Sequence, residues 1–113
     1  MSQDRLKVHY VLSGESVKAT AMIGRTDQKP VVTNGEDGID AVCNAVDKLT
    51  GSQVHRNSRR FEGVRVKTEG LLYEATFGIR NGAKTWNGTA VGIDLYEAIA
   101  NAYYAAKTSS KSK

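Results

Sequence analysis

Apolar and polar residues alternate along the first part of the chain. Leu6, Val8, Tyr10 and Leu12 are separated by Lys7, His9 and Val11, and Val17, Ala19, Ala21 and Ile23 by Lys18, Thr20 and Met22. A period of two sends alternate side chains to opposite faces of a sheet, so both runs are predicted as half-buried strands. Ser13-Gly14-Glu15 supplies a turn between them, and a loop around Thr26-Asp27-Gln28 leads to a third strand near 29–33. Pro30 has no N–H to give to a ladder, so that third strand is expected either to lie at a sheet edge or to begin after it.

The period changes at Ile39. Ile39, Val42, Cys43, Val46 and Leu49 recur at helical spacing, with Asp37 or Gly38 to cap the start and Gly51 to stop the helix. The polar stretch 52–60 is expected to be a loop. Strand periodicity then returns with Val64 and Val66, a turn at Gly70, and Tyr73, Ala75, Phe77 and Ile79 alternating along a longer run. Asn81-Gly82 is a hairpin signal because both residues tolerate positive φ, and a strand from Ala83 to Thr89 follows. Leu95, Ala98, Ile99, Ala102, Tyr103 and Ala106 share one face of a second helix. The Ser/Lys-rich residues 108–113 are expected to form a disordered tail.

The pattern predicts an α+β fold of two strand-strand-strand-helix units, 6–51 and 61–107, within a single domain over 1–107. Sequence likeness between the halves points to internal duplication. Ala19-Thr20 then Ile23 answers Ala75-Thr76 then Ile79; Asn34-Gly35 then Gly38-Ile39-Asp40 answers Asn87-Gly88 then Gly92-Ile93-Asp94. In this reading each Gly-Ile-Asp stands at the mouth of a helix, the two lying 54 positions apart.

At 113 residues and 40% apolar content the chain suits one ordinary core, and small paired units of this kind are expected to bury further surface against another copy. The formal charge of +4 permits attraction to anionic partners, with basic residues gathered at 55–60 and in the C-terminal lysines. A single cysteine, Cys43, forms no internal disulfide and is expected as an inert core thiol. Two distant histidines make no metal motif. No apolar run reaches the roughly 20 residues that cross a membrane, and the N-terminus lacks a signal-peptide core, so a cytoplasmic protein is expected.

Catalytic chemistry is poorly represented. His9 falls in a strand, His55 in a basic loop and Cys43 on an apolar helix face; the glycine-rich stretches spell neither a phosphate loop nor a dinucleotide fingerprint. No enzyme, metal or cofactor is expected. Two glycine-bearing loops do run into helix N-termini, where backbone N–H groups and the helix dipole favour a negative ligand group. Glu36, Asp37, Asp40 and Asp94 lie at the same places. Amides for a carboxylate and acids for an ammonium suit a zwitterion, with Ile39, Val42 and Ile93 as an apolar wall. The alternative is that these acids simply cap the helices.

Asn34-Gly35-Glu36-Asp37-Gly38-Ile39-Asp40-Ala41-Val42-Cys43-Asn44-Ala45 resembles the C-terminal allosteric, dimerising domain of the 2-isopropylmalate synthase and citramalate synthase family. The resemblance runs over roughly 6–107. In the family a loop of the form Gly-Asn-Gly-Pro-Val-Asp-Ala precedes the first helix, and a Gly-x-Gly-x-x-x-Asp loop precedes an alanine-rich second one. In that family two βββα units about a pseudo-twofold bind leucine or isoleucine between them. The resemblance implies an amino-acid-sensing, non-catalytic homodimer that acts on a catalytic partner chain, binds its ligand for another purpose, or is one piece of a longer protein. Its ligand contacts would fall on Asn34, Gly35, Gly38, Ile39 and Asp40, and on Gly88, Gly92, Ile93 and Asp94. Glu36-Asp37 stands where the family has Pro-Val, Leu95-Tyr96-Glu97 replaces small residues, and the family's catalytic barrel has no counterpart here.

Two other readings remain at this point. The β-β-β-α order of the second half matches double-stranded-RNA-binding modules, but those place lysines at the helix start to hold phosphates. Here Asp94-Leu95-Tyr96-Glu97 stands there, which would repel RNA and leaves only nonspecific contacts to the basic loop His55 to Arg60 and the lysine tail, so nucleic acid is not expected as a partner. A ligand-free dimerisation module anchored by Trp86, Tyr96, Tyr103 or Tyr104 is the third reading.

Overall fold

The computed structural model describes residues 6–12, 19–25, 28–67 and 72–111. Strands β1 (Lys7–Leu12), β2 (Ala19–Arg25) and β3 (Gln28–Gly35) form an antiparallel sheet in the order β1-β2-β3, and helix α1 (Gly38–Thr50) packs against it. Strands β4 (Arg59–Lys67), β5 (Leu72–Asn81) and β6 (Lys84–Gly92) form a second sheet in the order β4-β5-β6, followed by α2 (Leu95–Lys111). The element order βββα βββα is the α+β arrangement expected. The contacts divide the chain into two units, Met1–Gln53 and Val54–Lys113.

In the first unit β3 is an edge strand, which accommodates Pro30. The simple alternation expected for β1 is broken by an irregularity between Val8 and Tyr10, the residues opposite being Ile23 and Met22. Helix α1 buries Ala41, Val42, Cys43, Ala45, Val46 and Leu49, so the cysteine is a core residue. Asp37 is the N-cap, and Gly51, at φ 77°, closes the helix with its N–H bonded to the Asp47 carbonyl. The turn residues 13–15 and Thr26-Asp27 lie outside the described residues.

The second unit departs from expectation at four points. Residues 52–60 are only partly loop: a 3-10 turn over Arg56–Ser58 leads straight into β4 at Arg59. The β5–β6 hairpin closes one residue later than expected, with Asn81 paired to Lys84 and Gly82-Ala83 between them; Gly82 supplies the positive φ, 66°. Strand β6 does not stop near Thr89 but runs to Gly92. Helix α2 continues to Lys111, into the stretch expected to be a disordered tail, and Thr108 Oγ1 donates to the Tyr104 carbonyl within it. The Gly70 turn lies outside the described residues.

Helix α2 lies across β5 and β6 and buries Ala98, Ile99, Ala102, Tyr103 and Ala106. Beneath it the Phe77 ring is 4.9 Å from that of Tyr103 and 5.9 Å from that of Phe61. Arg59 Nε donates to the Tyr103 hydroxyl at 3.3 Å, with the guanidinium 5.7 Å from the ring centroid; Lys107 Nζ is 5.6 Å from the same centroid. Arg59, the second arginine of the basic run, is therefore packing, its aliphatic stem and charge both used against an aromatic ring.

The duplication is clearer in space than in sequence. Ile23 pairs with Val31, four residues before Gly35, and Phe77 pairs with Gly88, four residues before Gly92. Gly35 therefore corresponds to Gly92, a shift of 57 and not 54, and the second hairpin is three residues longer. In this register Gly35-x-Asp37-x-x-Asp40-Ala41-x-x-Asn44-Ala45 matches Gly92-x-Asp94-x-x-Glu97-Ala98-x-x-Asn101-Ala102. The two Gly-Ile-Asp triplets are not equivalents: Gly38-Ile39-Asp40 is the first turn of α1, whereas Gly92 ends β6 and Ile93-Asp94 precede α2.

Candidate functional site

The first strand-to-helix junction brings together Asn34, Gly35, Gly38, Ile39 and Asp40. Asp40 N donates to Asp37 Oδ1 at 2.8 Å, and Glu36 N donates to Asp40 Oδ2 at 2.8 Å. This variant of a capping box satisfies two backbone donors with two carboxylates, one at the cap and one three residues on. Asp40 is only 8% exposed, so its carboxylate looks inward to the loop. Two further side chains fasten the helix to the strand it follows: Thr33 Oγ1 donates to the Ala41 carbonyl and Asn44 Nδ2 to the Asn34 carbonyl, both at 2.8 Å. A Cβ on Gly35 would collide with the backbone of Asp40 and Ala41, so only glycine allows the helix to start this close to β3.

The second junction holds Gly92, Ile93 and Asp94. Asp94 Oδ2 accepts from Tyr96 N at 2.9 Å and Glu97 N at 3.1 Å, and the Asp94 carbonyl accepts from Ala98 N. Asp94 is thus the N-cap of α2, as Asp37 is of α1. A Cβ on Gly92 would come within 3.0 Å of Ala98 N, six residues on, as Gly35 does with Ala41. Ile93 stands out at 76% exposed, an aliphatic side chain with nothing over it at the mouth of the helix. Asn101, the counterpart of Asn44, is buried and its Nδ2 donates to the Glu97 carbonyl.

Gly88 belongs to neither junction. It lies inside β6 with α2 directly above it: a Cβ there would collide with Ala102 O and Ala106 N, and would come within 2.8 Å of Ala105 Cβ. Its lack of a side chain serves strand-helix packing, a role that the sequence reading assigned to ligand contact. Thr33 and Asn44, which secure the first junction, were not anticipated. The signal was present in the paired Ala-x-x-Asn-Ala of the two helices, visible once the halves are compared at a shift of 57.

The carboxylates of Asp37, Asp40 and Asp94 are engaged at the helix starts, as the simpler reading of these acids held, whereas that of the exposed Glu36 makes no capping contact among the described residues. Each cap leaves one oxygen over. Asp37 Oδ2 and Asp94 Oδ1 accept no hydrogen bond among the described residues, and both side chains are exposed. These oxygens and the aliphatic Ile93 are the chemistry the junctions present to a ligand. Among the described residues no cluster of three His, Cys, Asp or Glu side chains is arranged to hold a metal ion, and no helix is long and apolar enough to cross a membrane.

A separate open groove of about 360 Å³ lies on the second sheet, lined by Glu62, Gly63, Val64, Arg65, Glu74 and Thr76. Arg65 Nε donates to Glu74 Oε1 at 2.9 Å, and Lys67 Nζ is 3.7 Å from Glu74 Oε2. The Arg65 hydrogen bond, with Lys67 adding its charge, holds the Glu74 carboxyl below its usual 4.5. A depressed carboxyl contributes stability above its unfolded value and loses it as pH falls through the folded one. On acidification from neutrality to below 4.5, the native chain should therefore lose more stability than a Glu74→Gln variant, read as the difference between their urea midpoints at each pH.

No protein-family model matches the chain. The 2-isopropylmalate synthase of Prochlorococcus marinus (strain MIT 9211) is 32% identical over 105 residues, covering 88% of this chain and 19% of that protein. The protein of the same name from Pelotomaculum thermopropionicum is 28% identical over 101 residues, covering 87% and 20%, and that of Prochlorococcus marinus (strain AS9601) 33% identical over 106 residues, covering 88% and 19%. The chain spans about a fifth of the length of these curated relatives.

Proposed function

The chain belongs to the 2-isopropylmalate synthase family, and we propose that it is a non-catalytic, amino-acid-sensing regulatory and dimerisation domain. The observation that carries this reading is the extent of the match. Relatives about five times longer align across 88% of this chain, and the stretch they share folds as a repeated βββα unit. A fifth of a synthase built as two like units, each a small sheet with one helix, suits a sensor better than a reaction centre.

The ligand in this reading is a branched-chain amino acid of the leucine or isoleucine type. Its ammonium group meets the carboxylate oxygen left over at a helix cap, Asp37 Oδ2 or Asp94 Oδ1, and its aliphatic side chain covers Ile93. Gly88 drops out of the contact set, and Asn34, Gly35, Gly38, Ile39, Asp40, Gly92, Ile93 and Asp94 remain. A second copy of the chain is the partner, for which Phe61, Val64 and Val66, 39%, 40% and 60% exposed on β4, supply an apolar strip. Cytoplasmic action on a catalytic chain completes the proposal.

A ligand that binds only the folded state stabilises it by mass action, about 2.7 kcal/mol at a concentration one hundred times its Kd. Leucine, isoleucine or valine at millimolar concentration should raise the melting temperature, and an Asp94→Asn variant should lower that response. Absence of a shift with every proteinogenic amino acid would remove sensing from the proposal. Sedimentation tests the dimer separately.

A further inference from the structure

We propose that the outer face of the β4-β5-β6 sheet, turned away from α2, binds single-stranded nucleic acid through its phosphates. The cations are unevenly shared between the two units. Ten of the sixteen Lys and Arg residues, but only five of the twelve Asp and Glu, lie in 54–113, which gives that unit a formal +5 and leaves 1–53 at −1. Strand register shows where part of this excess goes. Ala75, Phe77 and Ile79 are buried beneath α2, so their neighbours Glu74, Thr76, Gly78 and Arg80 face the other way. Opposite Gly78 stands Arg60, opposite Glu74 stands Arg65, and Lys67 follows two residues on.

Arg60, Arg65 and Lys67 thus form a row on one strand, about 20 Å long at the usual strand rise. The Arg60 side chain makes no hydrogen bond or ion pair among the described residues and is exposed; those of Arg65 and Lys67 are 76% and 43% exposed. Gly63 leaves the floor beside the row without a side chain, while the Glu62 carboxylate and the Asn87 side chain lie over Gly78 and the Thr76 hydroxyl pairs with that of Thr89, so Glu62 is a second acid in the groove beside Glu74. A thin, flexible chain with a charge at every residue fits such a shallow open groove, whereas no aromatic ring lies along this row to stack bases. The expected binding is therefore independent of sequence. This place is distinct from the α2 N-terminus, whose acids repel phosphate.

Glu74 makes the inference discriminating, because it holds Arg65 and Lys67 in ion pairs and adds a negative charge where phosphates would lie. Binding of a labelled twelve-nucleotide oligo-dT to the full chain, followed by fluorescence anisotropy, should weaken about twentyfold between 50 and 200 mM salt for three phosphate contacts. Arg60→Glu and Arg65→Glu should weaken it further, and Glu74→Gln should tighten it about fivefold, with Arg60→Glu keeping a melting temperature close to that of the parent. No binding at 50 mM salt, indifference to Arg60→Glu, weaker binding by Glu74→Gln, or equal competition by polyglutamate would each overturn the proposal.

Discussion

Replacing Gly88 by alanine is expected to lower the melting temperature of the second unit by roughly 10 °C, corresponding to about 2 to 3 kcal/mol at about 4 °C per kcal/mol. One methyl group has this effect because of what it would strike. Two of the three nearest atoms, Ala102 O and Ala106 N, belong to helix backbone that cannot swing aside, and only the third, Ala105 Cβ, is a side chain. The helix must lift from β6 or the strand must bend, and either opens the layer that Phe77, Ile99 and Tyr103 fill. Adding Ala105→Gly should not restore stability, since it removes the side-chain contact alone. Trp86, the chain's single tryptophan, lies on β6 two residues away and makes its fluorescence a reporter for this unit.

Phe77→Ala should have the larger effect, about 3 to 5 kcal/mol in urea melts read from Trp86. The ring is 1% exposed and sits between Phe61 and Tyr103, so its loss leaves a cavity under the middle of α2. Typical stability for a chain of this length is on the order of 10 kcal/mol, of which this one side chain would account for a third or more. Phe77→Leu, which keeps most of the volume, should retain the larger part. A loss below about 1 kcal/mol would mean that the aromatic layer is less central than its burial implies.

Much of the fold was legible in the chain itself. The alternation through Tyr73, Ala75, Phe77 and Ile79 marks β5, and the helical spacing from Ile39 to Leu49 marks α1, because the burial demanded of a two-layer packing is written in those periods. The end of β6 was less legible. The expected strand stops at Thr89, just past Gly88, a glycine that is there for a helix passing over it from fourteen residues and more downstream. Arg59 likewise looks like part of a solvated basic loop until Tyr103, 44 residues later, is brought to it. Contacts of that range leave no local periodicity to read.

The candidate site shows the same division. Capping by Asp37 follows from its place before an apolar helical run, while the inward turn of Asp40 toward Glu36 N depends on how closely α1 follows β3. The register of the duplication was misplaced by three residues because two Gly-Ile-Asp triplets coincide by sequence and not by structure. The structural correspondence of Gly35 with Gly92 brings Asn44 and Asn101 into line, and with them the two caps.

The longer second hairpin has a practical side. Between the residue pairs Ile23–Val31 and Phe77–Gly88 the two copies differ by three residues, while the blocks that follow, from Gly35 to Val46 and from Gly92 to Tyr103, keep the same length. Change in length has thus been absorbed at a hairpin tip, away from the caps and the buried helix faces. The exposed Gly82-Ala83 tip is accordingly where a fluorophore or an affinity peptide can be attached with least disturbance to the packed layers, and the two equal blocks are natural units to exchange between the copies.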